Sequence, residues 1–126
     1  MNKLNGTGFN RIIKAGYCSA KGFKAAYMYE SAFRQEVLLC VFLMPLSFFV
    51  AIDIETWFIL TFSMLFLLFA EIINSALEAL ADRISLDQHE LIGRAKDMGS
   101  AAVSLAFAIL FLAWIYAFIR LYLSAS

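Results

Sequence analysis

The chain has 126 residues, 63% of them hydrophobic, with ten basic side chains, ten acidic ones and a formal net charge of zero. An ordinary soluble domain holds roughly 45–50% apolar residues, so this composition excludes one, and a single proline with 13 phenylalanines excludes a disordered or loop-rich chain. One domain is the natural count, and no basic–aromatic motif speaks for nucleic acid.

Residues 1–36 carry Lys3, Arg11, Lys14, Lys21, Lys24 and Arg34 against Glu30 and Glu36, a surplus of four positive charges. Phe9, Ile12, Ile13, Tyr17, Ala20, Phe23 and Tyr27 recur at helical spacing and gather on one face. Arg11, Lys14 and Lys21 project from the other face, with Lys24 nearer the rim. The pattern predicts a basic amphipathic helix over about residues 6–30, of the type that lies on a membrane surface. Gly8, Gly16 and Gly22 offer places where it could split into two pieces. Cys18 and Cys40 have no metal spacing and are expected as reduced thiols.

Three apolar runs follow: Val37 to Ile52, Thr56 to Ala70, and Met98 to Ile119. A spanning helix needs about 17–25 residues, and the predicted transmembrane helices cover about 34–53, 56–85 and 97–121. The first lies behind a long charged segment and so is expected as a retained span, not a cleaved signal. Arg34 and Glu36 would extend it by reaching toward the interface, and Pro45 predicts a kink. Asp53 and Glu55 make a short link, while the polar stretch from Arg83 to Asp97 makes a longer one containing Arg94 and Lys96. The lysine and arginine bias places the N-terminus and the second link in the cytoplasm, and the Asp53 loop and the C-terminus outside. Trp57, Trp114 and Tyr116 are expected at the interface or facing lipid.

The second run changes character at EIINSALEALADRIS, residues 71–85. Glu71, Asn74, Ser75, Glu78 and Asp82 fall at offsets of 0, 3, 4, 7 and 11, one stripe of the helix with apolar residues between. An ionisable residue inside a membrane helix is costly and is by default a functional candidate. Two carboxylates one or two turns apart can hold Mg²⁺ together with substrate phosphates. A carboxylate in apolar surroundings suits general-base work near neutral pH, and Glu71 is the deepest in the stripe. Arg94 and Lys96 would supply positive charge for phosphate on the same side. By spacing alone the stripe fits phosphoryl transfer to a membrane-embedded alcohol, a hydrogen-bonded assembly seam or an ion path equally well.

The segment E-x-x-N-S-A-L-E-x-x-x-D, from Glu71 through Asn74, Ser75, Ala76, Leu77 and Glu78 to Asp82, is followed by KDMGSAAV, residues 96–103. With RIIKAGY, KGFKAA and ESAFRQE upstream, it resembles the prokaryotic diacylglycerol kinase family from about Gly8 to the third span. The resemblance implies an all-α integral membrane kinase: one surface helix, three transmembrane helices, a homotrimer in the bacterial inner membrane, and no P-loop. No GxxxxGK[ST] string occurs here. It further implies ATP-dependent phosphorylation of diacylglycerol to phosphatidic acid, with Mg²⁺. By the same resemblance Glu71 is the expected base on the lipid hydroxyl, and Glu30 and Glu78 the residues holding Mg–ATP. Asn74, Asp82, Lys96 and Asp97 would shape the nucleotide and phosphate site, with His89 and Glu90 near the nucleotide in the cytoplasmic link. Arg11 and Ser19 would lie near the γ-phosphate or the lipid head group, and the site would sit at a subunit boundary. Related sequences often place tyrosine directly before that serine, whereas the order here is Tyr17, Cys18, Ser19, so Tyr17 receives no role. Two rival readings stand beside this one: a relative that phosphorylates undecaprenol, and a small oligomeric transporter or ion path.

Overall fold

The computed structural model describes residues 6–84 and 89–126; Lys3 and Ser85, named above, lie outside that range. The described residues form four α-helices: α1 (Gly8–Tyr29), α2 (Ser31–Val50), α3 (Ile54–Ile84) and α4 (Glu90–Ala125). The last three are long and apolar enough to cross a membrane. At a rise of about 1.5 Å per residue α3 is roughly 46 Å long and α4 roughly 54 Å, against a hydrocarbon core of about 30 Å. Both therefore extend well beyond the apolar layer.

The glycines do not divide α1. It runs unbroken to the corner at Glu30, whose extended backbone (φ −115°, ψ 106°) ends one helix and starts the next. Arg34 holds this corner: its guanidinium donates to the carbonyls of Tyr27 at 2.8 Å and Met28 at 3.0 Å, two groups left without helical partners at the end of α1. It thus turns back onto the protein instead of lengthening the span. Along α2 the helix continues through Pro45, at the cost of the backbone bond that the ring cannot donate.

The link to α3 is short because Asp53 caps it. Its Oδ1 accepts from the Thr56 backbone amide at 2.8 Å. Asp53 Oδ2 also meets Arg120 from the far end of α4 at 2.9 Å, and the same guanidinium donates to Thr56 Oγ1 at 3.0 Å. One arginine therefore ties the end of α4 to the start of α3.

Between these ends, Leu60, Met64, Leu67 and Ala70 of α3 pack with Ala106, Leu110, Ala113 and Ala117 of α4. The α4 side is mostly alanine, which lets two long helices approach closely where lipid supplies no hydrophobic drive between them. Trp114, expected toward lipid or the interface, is instead buried in this core beside Phe118; the neighbouring alanines leave room for its indole. Ser47 and Ser63 are buried too, each donating to a carbonyl three residues back at 2.6 Å. The outward faces carry Phe42, Phe49, Phe62 and Phe111, all more than two-thirds exposed, the reverse of a water-soluble fold.

The polar link is shorter than the sequence suggests. His89 caps α4, its Nδ1 accepting from the Leu91 amide at 3.2 Å, and residues 90–97 already form helix. Glu90 lies in the first turn, where a carboxylate favours the helix N-terminus, and pairs with Arg94 at 3.5 Å.

Candidate active site

The stripe on α3 grades from dry to wet as its spacing predicts. Glu71, Asn74 and Ser75 are buried, Glu78 is half-buried and Asp82 is exposed. Counted from Ile54, Glu71 lies about 26 Å along the helix and Glu78 about 36 Å. If Ile54 sits at one edge of a hydrocarbon core of about 30 Å, Glu71 stops just inside the other edge and Glu78 lies beyond it. A lipid hydroxyl and a water-borne phosphate can both be presented at that boundary.

The stripe is knitted by its own side chains. Ser75 Oγ donates to Glu71 Oε1 at 3.5 Å, the long end of a hydrogen bond. Asn74 Nδ2 donates to Glu78 Oε1 at 3.3 Å. Lys96, from α4, reaches Asp82 Oδ1 at 2.7 Å, so the two motif segments meet across helices. Gly99 permits the close crossing: a Cβ there would overlap Asn74 Oδ1. Asn74 Oδ1 is buried without a conventional hydrogen-bond donor, and the backbone of Gly99 packs against it.

Glu30, at the corner between α1 and α2, lines a groove of about 430 Å³ with Gly22, Ala26, Ser75 and Ala79. Its charge acts on Glu71, as does that of Glu78, so the three carboxylates form one acidic neighbourhood. Among the described residues no group of three or more acidic, histidine or cysteine side chains is set to cage a metal. Two carboxylates beside open space fit Mg²⁺ in another way, since that ion is commonly held by one or two carboxylates and the substrate phosphates.

Other expected site residues stand apart. Asp97 is exposed on α4, and His89 and Glu90 lie at its N-terminus. Arg11 and Ser19 are exposed on α1, where Ser19 Oγ donates back to the Ala15 carbonyl at 3.0 Å. Along the helix axis they lie roughly 28 Å and 16 Å from Glu30. The described contacts do not bring either of them to Glu71.

The model of the family described as prokaryotic diacylglycerol kinase matches residues 17–118, most of the chain and both motif segments on α3 and α4. The chain belongs to this family. Among its relatives, the diacylglycerol kinase of Escherichia coli (strain K12) is 46% identical over 110 residues, covering 87% of this chain and 90% of that protein. The diacylglycerol kinase of Pseudomonas aeruginosa is 43% identical over 108 residues, covering 86% and 88%. That of Haemophilus influenzae is 40% identical over 108 residues, covering 86% and 92%. The resemblance that the α3 and α4 motifs carry thus extends over parts of all four helices.

One residue in this diacylglycerol kinase family member escaped sequence reasoning. Glu36, expected to reach toward the interface, is only 6% exposed, and its carboxyl lies beside that of Glu71. The signal that could have found it is positional. Glu36, Cys40, Leu43 and Ser47 follow helical spacing, and the last three also face inward on α2.

Proposed function

We propose that the chain is a lipid kinase that transfers the γ-phosphoryl group of ATP to the hydroxyl of diacylglycerol, giving phosphatidic acid and ADP. The observation that carries this reading is the graded stripe from buried Glu71 to exposed Asp82 in a chain of the prokaryotic diacylglycerol kinase family. Glu71 takes the proton of the lipid hydroxyl as its oxygen bonds to the γ-phosphorus. The bond from that phosphorus to the bridging oxygen breaks, and ADP leaves with the electron pair. Catalysis rests on positioning and charge neutralisation, as is general for phosphoryl transfer.

Glu30 and Glu78 would hold Mg²⁺ against the phosphates, where it would neutralise their charge. Asn74 orients Glu78. Asp82 holds Lys96 at the water-facing end of the stripe, where its ammonium can meet a phosphate. Asp97, His89 and Glu90 complete the nucleotide side. In this reading that end faces the cytoplasm, where ATP is, and the membrane is the bacterial inner membrane. The basic N-terminal segment supports the orientation.

A homotrimer completes the site. Its support is twofold: the described contacts bring neither Arg11 nor Ser19 to the Glu71 of their own chain, and the large aromatic side chains of α1 lie exposed. In the assembly α1 would lie on the membrane surface, with Arg11 and Ser19 serving a neighbouring copy.

The test is phosphate transfer from labelled ATP by purified protein in mixed micelles. Diacylglycerol and undecaprenol are offered in parallel, with and without Mg²⁺. Mg²⁺-dependent labelling of diacylglycerol is expected. Preference for undecaprenol would change the acceptor, and labelling of neither by folded protein would refute the kinase reading. Glu71→Gln should lower kcat by about 10²–10⁴-fold, the usual worth of a general base, while helix content is kept.

A further inference from the structure

A groove of about 480 Å³ lies between α3 and α4 beside the polar stripe, walled by Phe66, Phe69 and Ile73 of α3 and by Met98 and Ala102 of α4. It opens sideways, toward lipid, since Phe69, Ile73 and Met98 are exposed. Among its described lining residues Asn74 alone is polar. Asn74 is 7% exposed, and its Oδ1 has no hydrogen-bond donor among the described residues. The same side chain joins the groove to the stripe, because its Nδ2 donates to Glu78. The groove is laid out as a lipid is. With Ile54 at one edge of the hydrocarbon core, Asn74 lies about 30 Å along α3, at the other edge of a core about 30 Å thick. Phe66 lies about 12 Å back toward the membrane centre, close to the half-thickness of about 15 Å that the chains of one leaflet fill. Aromatic rings wall this deep end: Phe66 lies 6.0 Å from Phe69 and stacks on Phe62 at 6.3 Å.

The geometry points to this groove as the seat of one acyl chain of the diacylglycerol: the chain lies along Ala102, Phe69 and Phe66, and the glycerol hydroxyl stands at the level of Asn74, beside the stripe. The inference rests on the lipid kinase reading. The polar end of the groove lies where a lipid carries its glycerol, and its apolar length lies where the chain runs. A hydroxyl at that level supplies the donor that Asn74 Oδ1 lacks. Surrounding lipid tails are as apolar as the groove, so the groove does not draw the chain in by hydrophobicity. It orients the lipid, and a hydroxyl held in line with the stripe reacts faster than one that drifts. The acyl chain is therefore read by whether it can lie in the groove.

Ala102 sits about 4.5 Å past Gly99 toward the membrane centre, so Ala102→Phe blocks the groove below the glycerol. The variant is assayed with dioleoylglycerol, whose chains run past that level, and with dibutyrylglycerol, whose chains end near it. Ala102→Phe should lower kcat/KM for dioleoylglycerol by about 10–100-fold, the scale for a misplaced reacting group. For dibutyrylglycerol it should stay within about threefold of the parent, and the KM for Mg–ATP should not move. Equal losses with both lipids, or no loss with dioleoylglycerol, would overturn the inference. If Ala102→Phe does not fold, the parent decides by photolabelling with a diacylglycerol that carries a diazirine midway along one acyl chain. Label should appear at Phe66, Phe69, Met98 or Ala102, and excess dioleoylglycerol should remove it. Label confined to faces away from the groove, as at Phe42 or Phe111, would overturn the inference. So would a groove that takes no label because a second copy of the chain fills it. Failure of the kinase reading shows up separately, as a parent protein that phosphorylates neither lipid.

Discussion

Replacing Gly99 by alanine should destabilise the protein, although alanine is the better helix former. Glycine in a helix interior costs about 1 kcal/mol relative to alanine, so an uncrowded Gly→Ala change on α4 should stabilise. Gly93 is such a position, with nothing within 4 Å of an added Cβ. At Gly99 the added carbon would overlap Asn74 Oδ1 and lie 3.3 Å from Asn74 Cγ and 3.5 Å from Leu77 Cδ1. Asn74 cannot swing aside freely, because it is buried and its amide donates to Glu78. Overpacking of this kind costs about 1–3 kcal/mol, which equals or exceeds the helix-propensity gain. Unfolding in mixed micelles should therefore rank Gly93→Ala above the parent and Gly99→Ala below it, with about 1–3 kcal/mol between the two variants. Adding Asn74→Ala removes the obstacle, so the double variant should be no less stable than Asn74→Ala alone. A Gly99→Ala protein as stable as Gly93→Ala, or a double variant whose losses simply add, would refute the close crossing of α3 and α4 at this point.

Other consequences follow from the same geometry. Leu67 is fully buried between α3 and α4, so Leu67→Ala should cost about 2–5 kcal/mol in micellar unfolding, with little change in the KM for ATP. Glu78→Gln should raise the KM for Mg–ATP more than it changes the KM for lipid in steady-state assays; an unchanged KM for ATP would remove Glu78 from the metal–nucleotide role. The Asp53 carboxyl is held below its ordinary range, first by hydrogen bonds from Thr56 and then by Arg120. The folded protein therefore takes up this proton less readily than the unfolded chain. The stabilisation is complete above the unfolded value of about 3.9, fades below it, and is lost once pH has fallen through the folded value. Unfolding temperatures from about pH 5 to pH 3 should fall less steeply for Asp53→Asn than for the parent, and parallel slopes would remove Asp53 from the acid response.

What the sequence reveals and what it hides divide along a physical line. The three apolar runs and the stripe from Glu71 to Asp82 are properties of single helices, and a fixed turn of 3.6 residues converts spacing directly into a shared face. The burial gradient along that stripe is legible for the same reason. The start of α4 at Glu90 was less so: the run from Glu90 to Asp97 is too polar to look like a span, and what makes it helical is the His89 cap and the Glu90–Arg94 pair. Trp114 was misplaced because tryptophan has two homes in a membrane protein, and the alanines that open room for it are visible only once α3 and α4 are side by side.

Glu36 marks the far side of the line. Its spacing with Cys40, Leu43 and Ser47 puts it on the inward face of α2, but periodicity within α2 cannot say which level of α3 it meets. That register is set where the chain turns between the two helices, at the link capped by Asp53 and tied down by Arg120. From Ile54 to Glu71 α3 travels about 26 Å, and from Val50 back to Glu36 α2 travels about 21 Å. The turn at residues 51–53 and the offset of the two helices take up the difference, so the two carboxyls arrive together. A small change in that link would slide one acid past the other while leaving every within-helix pattern intact. The features far from the site that hold this turn therefore help to set the geometry around Glu71.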